Sequence, residues 1–363
     1  MSEVELKKVW KVYKNEVIAV KDLNLKIKNS SIIAILGPSG AGKTSILKMI
    51  AGIEPITRGD ILFDGQSIKE FMPDELNVAM VFESYALYPN LTVFENIAFP
   101  LRAPRRTRNF RKDVIIKNIE EVAIILQIEE LLYRKPSELS GGQRQRVAIG
   151  RALVRNPRVM LMDEPIGHLD AKLRNYLRGE FKNLFHKLNT TVFYVTHDYK
   201  EAFSIADTIC ILNKGVIQQI GTPRDIYENP SNDFVSKLIG DPPMNLIDVN
   251  VEELNSNKYL SYENLKIKMD KEMISKYKAL NLSNNTVRIG VRPHDIKITN
   301  QKEDNLLNIP AKLFLISTIG KYNILTLKVG NDILMDTTVP SEIKPAINEK
   351  MYLDFKNIYM FKP

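Results

Sequence analysis

A short apolar run followed at once by a glycine-rich loop limits the possible folds of this chain more than any other feature. The run IIAIL at positions 32–36 is typical of a strand buried on both faces of a parallel sheet. Residues 37–44 read GPSGAGKT, which matches the pattern GxxxxGK(S/T), and apolar residues at helical spacing follow as far as Gly52. A strand, a glycine loop and a helix in this order predict a loop whose backbone N–H groups surround a polyphosphate.

The residue types of this loop suit a nucleotide and its metal. Lys43 can reach the β- and γ-phosphates, and the Thr44 hydroxyl can be a ligand of Mg²⁺. A chance glycine-rich turn is the alternative, but it leaves the strand before the loop and the helix after it unexplained. We therefore predict a nucleotide site at Gly37, Pro38, Ser39, Gly40, Ala41, Gly42, Lys43, Thr44 and Ser45.

Two acidic residues end a second apolar run, VMLM at positions 159–162. Asp163 would hold Mg²⁺ directly or through water, and Glu164, one residue beyond the strand, is placed to polarise the attacking water. A pair that caps the next helix is the alternative, although an apolar strand that ends in two carboxylates is costly without a cation. We therefore predict that Asp163 binds the metal and that Glu164 is the catalytic base.

Composition excludes several other classes of protein. Hydrophobic residues make up 44% and charged residues 26% of the 363 residues, so a sizeable core can form and the chain is not disordered. The net charge of +8 permits phosphate-bearing ligands, nucleic acid or an anionic membrane surface but selects none of them. The single cysteine, Cys210, excludes an internal disulfide framework and a complete cysteine-based zinc site, and its apolar neighbours predict an inert core thiol. The sequence shows neither a membrane-length apolar run nor a signal peptide, which predicts a soluble, cytosolic protein.

The pattern of residues changes near Gly240. Over residues 1–240, apolar runs alternate with helical patterns, such as the three- and four-residue spacings from Leu173 to Leu188, and this predicts a parallel sheet with helices on its faces. Beyond Gly240, alternating stretches at 265–269 and 323–329 predict half-buried strands, with a turn at 330–332. We predict an α/β domain at residues 1–240 and a small β-rich domain at residues 241–363.

A third motif narrows the class of protein. Residues 139–148 read LSGGQRQRVA, in which a serine and two glycines would expose N–H groups at the start of a helix and form a second anion site. This run resembles the signature of the ABC-transporter ATPases. In that family the site contacts the γ-phosphate of the nucleotide on the opposing subunit, so the resemblance implies a head-to-tail homodimer or heterodimer with two ATP molecules at its interface. The residues that it assigns to the nucleotide are Ser140, Gly141, Gly142 and Gln143.

The resemblance extends over the whole first domain and implies further roles. Tyr13 lies where the family places an aromatic residue that stacks on adenine, with a surface tyrosine on an early strand as the alternative. Asp170 falls in the family's D-loop and would reach across the dimer. His197 matches the switch histidine that hydrogen-bonds the γ-phosphate, which suits a side chain that donates to an anion whether neutral or charged. His186 has no such context and is expected to be solvated or structural.

Two positions depart from the family pattern. Glu83 stands where the family usually has a glutamine, which ligates Mg²⁺ and can also donate to the water, whereas an ionised glutamate can ligate but cannot donate. We predict that Glu83 keeps a catalytic, metal-sensing role with an altered nucleotide dependence. His168 replaces a small or amide residue in the D-loop, where it either contacts the partner subunit or is a tolerated exposed histidine.

A cluster of aromatic residues indicates which process ATP hydrolysis would drive. Residues 84–97 include Tyr85, Tyr88 and Phe94 and resemble the groove in which importer ATPases receive a short coupling helix of a permease. The resemblance therefore implies separate membrane permease subunits, an extracellular solute-binding protein that acts indirectly, and a peripheral position at the cytoplasmic face of the cell membrane.

The last domain suggests the kind of transporter. Residues 291–295 read VRPHD and resemble a turn in the C-terminal OB-fold-like regulatory domain of the maltose-type sugar importers. The whole chain is thus expected to be an α/β P-loop NTPase domain followed by a small β-rich OB-fold-like domain, and to energise the uptake of a sugar. Importers of polyamines, iron, sulfate or glycerol phosphate have similar tails, so a non-sugar solute stays open. A soluble ABC ATPase acting on nucleic acid is the rival, but the single cassette and the lack of an aromatic-basic run in the tail oppose it, and no nucleic-acid partner is expected.

Overall fold

The computed structural model describes residues 2–14, 16–72, 75–82, 85–102, 111–167, 171–263, 265–282, 284–303 and 307–363. The chain forms two compact units, Met1–Ile226 and Tyr227–Pro363.

The elements of the first unit are strands and helices in alternation. Its strands are β1 (Val4–Val12), β2 (Ile18–Ile27), β3 (Ile32–Leu36), β4 (Arg58–Phe63), β5 (Gln66–Ser67), β6 (Val78–Val81), β7 (Val159–Asp163), β8 (Thr191–Thr196), β9 (Thr208–Asn213) and β10 (Val216–Gly221). Its helices are α1 (Lys43–Ile50), α2 (Val93–Ala98), α3 (Lys112–Leu126), α4 (Gly141–Leu153), α5 (Ala171–Leu188) and α6 (Tyr199–Ile205), and α7 (Pro223–Glu228) crosses into the second unit.

A mixed sheet forms the centre of the first unit, with the strand order β10-β9-β3-β8-β7-β6. All neighbours in it are parallel except β10, which runs antiparallel to β9 at one edge. Every residue of β3, β7 and β8 is buried, because helices and a second sheet cover the two faces. The apolar runs at 32–36 and 159–162, which predicted buried strands, are therefore confirmed.

The register of these strands places the predicted nucleotide and metal residues together, at the carboxyl ends of the parallel strands. Leu36 at the end of β3 pairs with Thr196 at the end of β8, and Asp163 at the end of β7 pairs with Val195. The segments that follow these strand ends are the glycine loop, Glu164 and His197. Carboxyl ends of parallel strands are the usual place for a ligand in an open α/β sheet.

A second, antiparallel sheet with the order β2-β1-β4-β5 packs on the central one. Alternate residues of β1 and β2, such as Leu6 and Leu25, form one core with Ile35 of the central sheet and with Ile46 and Leu47 of α1. Burial of each such side chain contributes about 1.5–3 kcal/mol, so this core fixes the helix that follows the glycine loop.

The second unit is built of strands, as its alternating sequence predicts. It contains α8 (Asp233–Leu238), β11 (Asn245–Leu254), β12 (Asn257–Tyr262), β13 (Leu265–Lys268), α9 (Lys271–Ala279), β14 (Thr286–Val291), β15 (Ile296–Thr299), β16 (Ile309–Ile319), β17 (Tyr322–Val329), β18 (Ile333–Pro340), β19 (Lys350–Phe355) and β20 (Tyr359–Phe361). Two five-stranded antiparallel sheets, β13-β12-β11-β14-β20 and β15-β19-β16-β17-β18, share one apolar core. The predicted turn at 330–332 joins β17 to β18, and Gly330 adopts a φ of 62° there.

Two single residues behave as their sequence context predicts. Cys210 lies within β9 at 1% exposure, and burial raises the pKa of its thiol to about 12, which confirms an inert core thiol. His186 is on α5, and its Nε2 lies 3.3 Å from Oδ1 of Asp207. This contact agrees with a structural role for the histidine. Among the described residues, no helix is both long and apolar enough to cross a membrane.

Candidate active site

The glycine loop runs close against two neighbouring backbones. A Cβ on Gly37 would lie 2.2 Å from the carbonyl oxygen of Leu212, and one on Gly42, whose φ is 100°, would lie 2.2 Å from that of Ala19. By contrast, the space beside Gly40 (φ 76°) is open. Close approach and left-handed φ explain the glycines at 37 and 42, while the open side at Gly40 leaves room for a ligand against the loop.

Lys43 is held across the loop by the loop's own backbone. Its Nζ donates hydrogen bonds to the carbonyl oxygens of Gly37 at 2.9 Å and Pro38 at 3.0 Å, and the residue is only 5% exposed. Burial lowers the pKa of Lys43, and the charges of Glu164 and Asp163 partly oppose that shift. A buried ammonium group that is bonded only to neutral carbonyl groups suits a polyphosphate, because a phosphate adds the negative charge that the carbonyl groups lack.

Thr44 and Asp163 meet beside this loop. The Thr44 hydroxyl donates to Oδ1 of Asp163 at 3.2 Å, and Asp163 is 7% exposed at the end of β7. A hydroxyl and a carboxylate are hard oxygen donors of the kind that Mg²⁺ prefers, and Mg²⁺ often takes its other ligands from phosphate and water. Among the described residues no group of three or more His, Cys, Asp or Glu side chains could hold a metal ion.

Glu164 is the first residue beyond β7 and points at His197. Its Oε2 lies 2.9 Å from Nδ1 of His197, and its backbone N–H donates to the carbonyl oxygen of Val195 at 3.0 Å. Glu164 adopts a left-handed φ of 47°, which costs a non-glycine residue about 1–2 kcal/mol. The surrounding structure thus holds the carboxylate and the imidazole in contact despite an unfavourable backbone.

Sequence reasoning missed Gln145, which supports this backbone from α4. The residue is 1% exposed, and its Nε2 contacts the carbonyl oxygens of Pro165 and, at 3.5 Å, Glu164. The only hint in the sequence was the position of Gln145, two residues after Gln143 on the same helix. Its partners are backbone carbonyl groups, and a pattern of side chains does not reveal such contacts.

The signature residues cap α4 and bond to one another. Ser140 is exposed; its Oγ accepts from the N–H of Gln143 at 3.3 Å, and Oε1 of Gln143 accepts from the N–H of Ser140 at 2.8 Å. Gly141 and Gly142 form the first turn of the 13-residue helix. This capping box leaves a helix N-terminus at the surface, and Gln145 further along α4 connects it to Glu164.

Tyr13 lies beside the start of α1. Its hydroxyl donates to Oε2 of Glu54 at 2.5 Å and lies 3.0 Å from Oγ of Ser45, while Nζ of Lys11 lies 4.8 Å from the ring centroid. Burial, followed by the hydrogen bond to Glu54, raises the pKa of Tyr13. The tyrosine is therefore tied to the helix that follows the glycine loop.

Three predicted residues, Glu83, His168 and Asp170, lie outside the described residues. After the gap at Glu83, Arg151 on α4 contacts a segment that is called the aromatic segment here, residues 85–99, which contains Tyr85, Tyr88, Phe94 and Phe99. Its Nη1 donates to the carbonyl oxygen of Ala86 at 2.7 Å and its Nη2 to that of Tyr85 at 3.2 Å.

The sequence matches the ABC transporter family model over residues 20–167. It is 40% identical to YcjV, a putative uncharacterized ABC transporter ATP-binding protein of Escherichia coli K12, over 99% of this chain and 98% of that protein. It is 39% identical, over the same shares, to MalK, a trehalose/maltose import ATP-binding protein of Thermococcus litoralis. Among solved structures it is similar to MJ0796, a bacterial ABC transporter cassette in dimeric form, with a TM-score of 0.57 and 33% identity over 61% of this chain and 99% of that chain. A dimer of the same cassette is known in a post-hydrolysis state bound to ADP and Pi.

Proposed function

Because the chain belongs to the ATP-binding proteins of ABC transporters and is an ATPase, we propose that it powers the import of a sugar or a related solute through separate membrane permease subunits. The observation that carries the catalytic part is the contact between Glu164 and His197 beside the loop that holds Lys43. The proposal that the solute is a sugar is supported by the similarity to MalK, a trehalose/maltose import ATP-binding protein, over nearly the full length of both chains.

The glycine loop binds the phosphates of ATP. The N–H groups of residues 37–45 and the start of α1 supply donors, and Lys43 exchanges its backbone carbonyl partners for phosphate oxygens. Tyr13, fixed by Ser45 and Glu54, lies against adenine.

The metal site is formed by Thr44 and Asp163, with Glu83 as the residue that senses the metal. When bound, Mg²⁺ neutralises charge on the β- and γ-phosphate oxygens. The buried Asp163 carboxylate and the Thr44 hydroxyl hold a fixed position for it, because the core beneath β7 and α1 fixes both.

Glu164 accepts the proton of the attacking water. A carboxylate at the end of a strand, in contact with a histidine and beside a buried lysine, is suited to that task. A carboxylate can only accept, so in the 2.9 Å contact His197 donates Nδ1–H to Glu164. One histidine then orients the base and stabilises the developing charge.

The dimer completes each site. Cassettes of this family dimerise, as MJ0796 does. Ser140, Gly141, Gly142 and Gln143 of one subunit contact the γ-phosphate held by the other, and Asp170 reaches across the same interface. The N-terminus of α4 supports this arrangement, since Ser140 is exposed and the start of a helix attracts an anion.

The permease binds at the aromatic segment. Tyr88 and Phe99 are 40% and 44% exposed, their ring centroids lie 4.4 Å apart, and Arg151 lies over the ring of Tyr88. An exposed aromatic pair is suited to bind an apolar helix. A chain that binds a permease in this way lies at the cytoplasmic face of the membrane as a peripheral subunit.

The second unit is proposed to be an OB-fold-like regulatory domain.

Uptake measured in cells tests this function. The chain is expressed together with permease subunits and a solute-binding protein from the same source, and accumulation of labelled maltose, trehalose and other sugars is compared with that of polyamine, sulfate, iron and glycerol phosphate. We expect uptake of a sugar by the wild type and none by Glu164→Gln, which still binds ATP. Uptake of a non-sugar solute alone would contradict the proposal that the solute is a sugar. Equal uptake by the wild type and by Glu164→Gln would contradict the coupling of transport to ATP hydrolysis.

A further inference from the structure

A buried carboxylate lies behind the loop that carries His197. Glu201, on α6, is 3% exposed and accepts hydrogen bonds from the Thr196 hydroxyl at 2.9 Å and from the Tyr194 hydroxyl at 3.2 Å. Burial raises the pKa of Glu201. A carboxylate in such a place requires a countercharge to remain ionised.

Arg178 supplies that charge from another helix. Its Nη2 lies 3.2 Å from Oδ2 of Asp198 and 3.6 Å from Oε1 of Glu201, and its side chain is 14% exposed. Arg178 belongs to α5, whereas both carboxylates follow β8. One guanidinium therefore joins α5 to the segment that contains His197.

The network holds both chain neighbours of His197. Thr196 donates to Glu201, and the same hydroxyl accepts from the N–H of Asp198 at 3.0 Å. Asp198 is in turn paired with Arg178. His197 itself is 61% exposed in its side chain and contacts Glu164, so its own packing constrains it little.

We propose that Arg178 and Glu201 are positioning residues that place His197 for ATP hydrolysis and link its position to α5. Because Arg178 lies on α5, its ion pair with Asp198 fixes the histidine loop relative to that helix. This inference rests on the proposed role of His197.

A double-mutant cycle on the purified full chain tests the link. Arg178→Met is expected to lower kcat for ATP at least about tenfold while changing KM less than about threefold, and Arg178→Lys, which keeps the charge, is expected to recover most of the loss. In a His197→Ala background, Arg178→Met should lower kcat by less than about twofold more, because Arg178 acts through the histidine. A residue that only stabilises the fold would lower activity by the same factor in both backgrounds.

Controls separate this proposal from the proposed function. Arg158→Met removes a surface ion pair with Asp64 and should leave kcat within about twofold of the wild type. Glu201→Gln serves as a second variant, with thermal unfolding recorded for each protein. Equal losses from Arg178→Met in the two backgrounds, or unfolding of all network variants, would overturn the positioning role alone. A His197→Ala variant with wild-type kcat would overturn both this role and the catalytic assignment of His197.

Discussion

At the scale of single residues, several side chains of the candidate active site have backbone atoms as their partners. Lys43 is held by two carbonyl oxygens and Gln145 by the backbone on either side of the Glu164–Pro165 bond. The motif residues of the glycine loop and the strand end could be predicted from the sequence, because their chemistry is local to a motif. Gln145 and Arg178 could not, because their partners lie 19 to 23 positions away along the chain.

The single cysteine gives a prediction at this scale. The ordinary pKa of the thiol is 9.0 and burial raises that of Cys210 to about 12, so the native thiol stays protonated where the unfolded one ionises. We expect alkylation by iodoacetamide at pH 8 to be at least about a hundredfold slower in the native chain than in urea. The stabilising effect of this burial is full below pH 9 and is lost as the pH rises toward 12. Equal rates of labelling in the two states, followed by mass spectrometry, would show that Cys210 is accessible.

At the scale of elements, α4 connects three parts of the site. Its N-terminus carries the signature residues, Gln145 supports the backbone of Glu164, and Arg151 holds the carbonyl groups of Tyr85 and Ala86. Tyr85 and Ala86 have φ values of 62° and 45°, an unfavourable backbone that these two hydrogen bonds help to hold. The apolar pattern predicted the strands and the buried face of α5 at Leu177 and Phe181, but it does not reveal such contacts between helix and loop.

This arrangement predicts that Arg151→Met separates hydrolysis from transport. The loss of two hydrogen bonds frees the aromatic segment, so solute accumulated per ATP hydrolysed should fall at least about tenfold in vesicles that contain the permease. Arg151→Lys is the matched variant: its single ammonium cannot hold both carbonyl groups as the guanidinium does, and an intermediate ratio is expected. An unchanged ratio in Arg151→Met would show that this contact does not position the permease groove.

At the scale of the whole molecule, the residues of the candidate active site belong to only one of the two units. The parallel sheet brings the glycine loop, Asp163, Glu164 and His197 to one edge, and the β-rich unit contains none of these motif residues. The sequence predicted both kinds of architecture because periodicity differs between a buried parallel strand and a half-buried antiparallel one. It could not specify the order of the strands, since pairing depends on contacts between residues that lie far apart in the chain.

Phosphate release by the full chain measures whether Glu164 is the base for ATP hydrolysis. We expect steady hydrolysis of ATP by the wild type with Mg²⁺, and a fall in kcat of at least about a hundredfold in Glu164→Gln while ATP still binds, because an amide cannot accept the proton of water. Wild-type turnover in Glu164→Gln would contradict the account, since the base would then be another residue.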